Sequence, residues 1–157
     1  MIITTEKLNH EYRFLKDPRH KIFNETQKGK LFPIKRGLYE TDKTTPGYLL
    51  ANSLLGPSYL SFEYALFYYS MIPERVVTYT SATFNKGKIL DFQNYFGMYR
   101  YRDIPKEVYP YYYTRVIIDN YPLLIATKEK ALCDKLSIES PIRGLRDFEE
   151  YLFDGLR

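Results

Sequence analysis

Near residue 76 the hydrophobic period of the chain changes, and that change constrains the fold more than any other feature. Upstream, Phe62, Ala65, Leu66 and Tyr69 fall at i, i+3, i+4 and i+7, the stripe of an amphipathic helix. Downstream, Val76-Val77-Thr78-Tyr79-Thr80-Ser81-Ala82-Thr83-Phe84 is dominated by β-branched and small residues with two aromatics, which fit a pleated strand. Helices followed by strands rather than alternating with them predict an α+β fold with antiparallel hairpins.

The remaining elements are read from punctuation. Residues 5–15 predict a short helix, with Leu8, Tyr12 and Leu15 on one face and Thr4 or Thr5 as its cap. Asp17-Pro18 predicts a second helix over 18–28, Asp17 capping, Pro18 in the first turn, Ile22 and Phe23 as apolar anchors and Gly29 ending it. Leu31–Ile34 and Leu38-Tyr39, flanking Lys35-Arg36-Gly37, predict a small hairpin. A linker-like run, 42–47, divides a segment 1–45 from a domain 46–157. In the second, a helix is expected over 48–55 and a turn at Gly56-Pro57-Ser58. Another helix, capped by Ser61, is expected to end by Met71, before Pro73. Asn85–Lys88 is expected to turn the chain back into Ile89–Phe92 as a hairpin, followed by a strand over 96–102. A tyrosine-rich loop covers 109–113. A hairpin over 115–126 turns at Asp119-Asn120, and a helix capped by Thr127 runs over 128–138. A last helix is expected from about 145, and its lack of a stop signal raises two expectations, a longer natural chain or an end that packs on something.

Charge divides the same way. Of 23 basic and 19 acidic residues, ten and six lie in residues 1–45, so the whole net charge of +4 sits there and residues 46–157 balance. A helix, a Pro-marked turn, a basic helix and a basic hairpin form the layout of a winged helix-turn-helix. Its second helix enters the major groove and its hairpin touches the backbone or minor groove. Arg19, Lys21 and Lys28 fall on the recognition-helix position, and Lys30, Lys35 and Arg36 on the wing. These six are the candidate DNA-binding residues, with most contacts to phosphate. The competing reading is a solvated basic surface on a protein–protein interaction module.

Catalytic patterns are scarce. The chain has no phosphate-binding or dinucleotide-binding glycine motif and no G-x-S-x-G. Both histidines, His10 and His20, lie in the basic segment, so the larger domain has no His-based metal site. Asp119 and Glu129 raise a metal-dependent nuclease as a third reading, but Lys128-Glu129-Lys130 fits a charged helix start better. No catalytic residue, metal or cofactor is expected, and the protein is not read as an enzyme. The single cysteine, Cys133, sits in an apolar-rich run and is expected to be a small buried hydrophobe. The 17 tyrosines, with no tryptophan, fit strands and packed interfaces. No signal-peptide core and no window near the roughly 20 apolar residues of a spanning helix are present, so a cytoplasmic protein without membrane partners is expected.

Four stretches resemble one family. Ser61, Glu63, Ala65, Leu66, Ile72 and Pro73 match its Ser/Glu-x-Ala-Leu/Ile-Pro helix, and Thr80-Ser81 matches a strand. Ile125-Ala126-Thr127-Lys128-Glu129-Lys130-Ala131-Leu132-Cys133-Asp134 matches an Ile-Ala-x-x-Glu-Lys-Ala-Leu-x-Asp signature. Lys35-Arg36-Gly37-Leu38-Tyr39 matches an Arg-Gly-x-Tyr wing. The chain thereby resembles the AbiEi antitoxins, predicted transcriptional regulators of bacterial abortive-infection systems. It departs at Tyr69-Ser70, where that family often has His-Gly, at Lys128, where Pro is common, and in having two predicted helices before the wing rather than three. The resemblance implies an antitoxin that binds double-stranded operator DNA and represses its own operon. It also implies a nucleotidyltransferase-like toxin as functional partner, counteracted through the C-terminal domain without direct contact being required.

Overall fold

The structure, a computed structural model, describes residues 1–139 and Arg146. The helix expected from about 145 lies, Arg146 apart, outside the described residues. The fold is α+β, in two units: residues 1–47 with 93–96, and residues 48–92 with 97 onward.

The first unit begins with β1 (Ile2–Thr4), too short to show a sequence period, followed by α1 (Thr5–Glu11) and α2 (Pro18–Gln27). Thr4 caps α1 by accepting from the Lys7 N–H, and Asp17 caps α2 by accepting from the His20 N–H, with Pro18 at the first helical position. Strands β2 (Phe32–Lys35) and β3 (Leu38–Glu40) form the expected hairpin. Gly37 has φ +83° at its turn, and a bulge lies between Pro33 and Lys35. The sheet order is β1-β3-β2, all antiparallel. Ile3, Leu8, Ile22 and Leu31 form the core, with Tyr12 and Tyr39 packed on it. Phe32 lies 4.9 Å from the Tyr95 ring, and Asn94 Nδ2 donates to Ile34 O at 3.1 Å, so residues 93–96 brace the hairpin.

Two expectations fail here. α1 stops at Glu11, with Leu8 its one buried residue; Phe14 and Leu15, on the stretch that was to extend it, are exposed rather than part of the core. Phe23 is not a core anchor; it is 59% exposed, one position round the helix from buried Ile22.

In the second unit a 3-10 turn (Gly47–Leu50) runs into α3 (Ala51–Leu54), in place of a single helix over 48–55. Next come β4 (Tyr59–Leu60), α4 (Phe62–Tyr68), β5 (Thr78–Thr83), β6 (Leu90–Asn94) and β7 (Gly97–Asp103). β8 (Tyr113–Ile118), β9 (Tyr121–Ala126) and α5 (Lys128–Ile138) complete it. The six-stranded sheet has the order β6-β7-β5-β4-β9-β8. β4 lies at its centre, antiparallel to β5 and parallel to β9, with Leu60 opposite Ile125. α4 and α5 pack on each other.

The expected hairpin at Asn85–Lys88 does not form, because β5 pairs in parallel with β7, Tyr79 opposite Tyr99 and Ser81 opposite Tyr101. The turn residues are in place, with Asn85 at φ 56° and Gly87 at φ 71°. The Asp103 carboxylate accepts from the Lys86 and Gly87 N–H groups, both at 2.7 Å, and so holds the segment at the end of β7. The chain then enters the sheet from its far edge. The β8–β9 hairpin does form, Asp119 (φ 49°) and Asn120 (φ 67°) making its two-residue turn.

Tyrosines fill much of this core. Tyr59, Tyr99 and Tyr101 are fully buried. The Tyr101 hydroxyl donates to Ala51 O at 2.6 Å, and that of Tyr69 to Ala126 O at 2.9 Å. Burial pushes the Tyr101 hydroxyl above its ordinary pKa, so it stays a neutral donor. No helix among the described residues is long and apolar enough to cross a membrane.

Candidate functional site

The six basic residues predicted to contact DNA separate into two groups. Arg19, from the first turn of α2, and Lys35 and Arg36, from the hairpin, line one groove of about 460 Å³ in the first unit. Ile22, Tyr39, Phe23, Thr26 and Gln27 also line it, and among the described residues no carboxylate does. Lys21 and Lys30 are held elsewhere. Lys21 Nζ donates to Glu25 Oε1 at 2.8 Å, and Lys30 Nζ lies 3.6 Å from Glu25 Oε2. The hydrogen bond and the charge of Glu25 raise the Lys21 pKa. The Lys21 hydrogen bond, against a smaller opposing effect of burial, holds the Glu25 carboxyl below its ordinary value. Lys28, at the C-cap of α2, is exposed.

Sequence reasoning missed Phe23, Thr26 and Gln27 as groove residues. Arg19, Phe23 and Gln27 follow at i, i+4 and i+8, so they share a helix face, and that spacing was the available signal. The Thr26 hydroxyl donates to Ile22 O at 3.0 Å, which leaves Arg19, Lys35, Arg36 and the Gln27 amide as the polar side chains of a lining that suits a phosphate-bearing polymer, whose charge the cations would neutralise.

A second constellation lies in the other unit, where the stretches that carry the family resemblance meet. Asp134 on α5 is 3% exposed. Its Oδ2 accepts from Ser61 Oγ at 2.7 Å and from the Tyr59 hydroxyl at 3.1 Å. Its Oδ1 lies 3.0 Å from Lys130 Nζ, which also donates to Val108 O at 3.0 Å. Burial first, then the Asp134 charge and hydrogen bond, drive the Tyr59 pKa far above its ordinary value. A paired buried carboxylate whose partners come from β4, the start of α4 and α5 organises a fold; every group is engaged and none is set apart as a base or nucleophile.

This changes two assignments made from sequence. Ser61 does not cap α4 through its side chain, which is committed to Asp134. Thr80 of β5 takes that place: its hydroxyl accepts from the Tyr64 N–H at 3.0 Å and donates to Ser61 O at 2.7 Å. Cys133 is exposed rather than buried, because the inward face of α5 is Lys130, Ala131 and Asp134. Glu129 and Asp119 are both exposed, and no group of residues among those described could hold a metal ion. Glu63 reaches Lys135 at 2.6 Å. Beside α5, Ile104, Pro105, Val108, Tyr111, Tyr112 and Cys133 line an apolar pocket of about 500 Å³ with Lys130 and Asp134 among its walls.

The chain matches no known protein-family profile, and comparison with curated proteins finds no match.

Proposed function

We propose that this chain is a DNA-binding transcriptional regulator that serves as the antitoxin of an abortive-infection pair. In this reading it represses its own operon and counteracts a nucleotidyltransferase-like toxin, acting by binding rather than catalysis. The observation that carries the DNA-binding part is the convergence of Arg19, Lys35 and Arg36 on one groove beside α2, which no carboxylate among the described residues lines. Cations gathered on one groove favour a polyanion. The topology of the first unit supports the same reading. Two helices joined by a capped turn precede a hairpin, and a strand ahead of the helices pairs with the second hairpin strand. A winged helix-turn-helix presents its recognition helix and wing from this arrangement. The antitoxin part rests on the resemblance. Three of its four stretches meet around Asp134 and Thr80, so the residues that carry it are those that join α4, β5 and α5.

The test is binding of the purified chain to the duplex upstream of its own gene, against a random duplex, at two salt concentrations. Preferential binding is expected, with a log–log salt slope of close to one unit (~0.9) per phosphate neutralised. Absence of binding at low salt would overturn the regulator reading and favour a protein–protein interaction module. The antitoxin part is checked separately, by co-expression with the neighbouring gene: growth rescue is expected, and its failure with the protein folded would reject it.

A further inference from the structure

α2 gives the basic groove three exposed side chains, Arg19, Phe23 and Gln27, one turn apart on one face. Lys21 and Thr26 are engaged within the helix, Lys21 with Glu25 Oε1 and the Thr26 hydroxyl with Ile22 O. Phe23 is 59% exposed. A lone apolar side chain on a protein surface needs no explanation. This one stands a turn from a guanidinium on one side and a turn from an amide on the other, in a groove that three cations line.

Contacts to phosphate fix a protein on a duplex but carry no sequence information, and Arg19, Lys35 and Arg36 suffice to make them. Phe23 and Gln27 have no charge to offer a phosphate. Their chemistry matches base edges instead. In the major groove the apolar group at a base edge is the thymine C5 methyl, and an aromatic side chain is among those that pack on it. The Gln27 amide holds a donor and an acceptor side by side, the complement of adenine N7 and N6–H. The minor groove offers neither pattern, since A·T pairs show only acceptors there. Four residues of α2 separate the two side chains. That is about 6 Å along the helix, against a rise of about 3.4 Å per base pair, so they reach base pairs one or two steps apart.

We infer that Phe23 and Gln27 read sequence in the major groove. Phe23 packs on a thymine methyl and Gln27 pairs with an adenine one or two steps away, while Arg19, Lys35 and Arg36 hold phosphates. This division of labour rests on the DNA-binding reading above and goes beyond it: three residues set affinity for any duplex, and two set which duplex is preferred.

The test uses the full chain, the duplex upstream of its own gene and a random duplex. Phe23→Ala and Gln27→Ala are each expected to lower the ratio of the two affinities by about fivefold or more, with the salt slope kept, because no phosphate contact is lost. Both positions are exposed, so thermal midpoints close to that of the unmodified chain are expected. Base analogues then assign each contact. Uracil in place of thymine removes only the methyl groups from the upstream duplex. It is expected to weaken binding of the unmodified chain about fourfold and of Phe23→Ala by less than about twofold. 7-Deazaadenine in place of adenine removes the N7 acceptor. It is expected to weaken the unmodified chain about fivefold and Gln27→Ala by less than about twofold. Variants that weaken both duplexes alike, or analogues that cost the variants as much as the unmodified chain, overturn the inference and leave DNA binding standing. So does a chain that binds the two duplexes equally. A chain that binds neither at low salt overturns both.

Discussion

Ser61 Oγ donates to Asp134 Oδ2 at 2.7 Å, joining the start of α4 to α5 across 73 positions of sequence. The same carboxylate neutralises Lys130, itself 7% exposed. Asp134→Ala would leave a buried ammonium without a counter-ion and two hydroxyls without an acceptor. A loss of about 3–5 kcal/mol is expected. Ser61→Ala, which removes one hydrogen bond to a charged group, is expected to cost about 1.5–3 kcal/mol. Urea denaturation measures both. A cost below about 1 kcal/mol for Asp134→Ala would reject this network as a support of the fold.

Thr80 bridges the backbone at the start of α4, where Phe62 has φ +55°. A bulky residue in the left-handed region is strained, so something must hold it. Thr80→Val keeps the shape and strips the Tyr64 N–H of its acceptor. It is expected to destabilise the protein by about 1–3 kcal/mol, whereas Thr80→Ser should retain most of the stability. Equal thermal midpoints for the two variants would contradict the capping role.

Ser70 occupies the left-handed position after α4, at φ 57°, with its N–H on Phe67 O and the Met71 N–H on Leu66 O. This bond pair is a Schellman closure, where glycine is favoured. Ser70→Gly is expected to raise stability by up to about 1 kcal/mol. A fall in the thermal midpoint would contradict the assignment.

Glu63 supplies an acid-sensitive contact. Burial pushes its carboxyl up, but the Lys135 hydrogen bond, its own backbone N–H and the charges of Lys135 and Arg102 outweigh it, and the pKa is lowered. A lowered folded pKa means the unfolded chain binds the proton more readily. The contribution is therefore complete above the unfolded carboxyl value, about 4.3, and is lost as pH falls through the folded one. Glu63→Gln is expected to flatten the stability profile below about pH 5 while leaving its shape near neutrality unchanged. Urea midpoints across that range decide it, and an unaltered acid limb would remove Glu63 from the explanation.

For the proposed DNA contact, Arg19→Ala and Arg36→Ala are expected to lower affinity for every duplex and to reduce the salt slope by about one unit each. Lys21→Ala is expected to leave the slope unchanged, since Lys21 is held by Glu25 away from the groove. Filter binding at several salt concentrations separates the two classes. Equal effects at positions 19 and 21 would contradict the grouping.

Features set by neighbouring residues were legible in the sequence. Thr4, Asp17 and Thr127 cap the helices expected of them, and Asp119-Asn120 turns the expected hairpin. Features set by distant partners were not. The insertion of β7 beside β5 depends on Asp103 reaching back to residues 86 and 87, and the cap on α4 comes from another strand. Cys133 looked buried because its neighbours are apolar, but two paired charges, Lys130 and Asp134, took the inward face. The basic site was half legible. Charge density pointed to residues 19–36, but nothing local told that Glu25 would withdraw Lys21 and Lys30 while Arg19, Lys35 and Arg36 stayed on one groove.

The two-residue strand at the centre of the large sheet also bears on how the chain is made. Leu60 waits for Ile125, and until residue 126 has left the ribosome, one side of that strand has no mate. During synthesis, the Asp134 acceptor for Tyr59 and Ser61 arrives later still. Nascent chains that end before α5 therefore hold a half-sheet with an open inner border and unsatisfied buried hydroxyls. That is the interval in which the polypeptide is most exposed to proteases and to mispairing with its neighbours on a polysome.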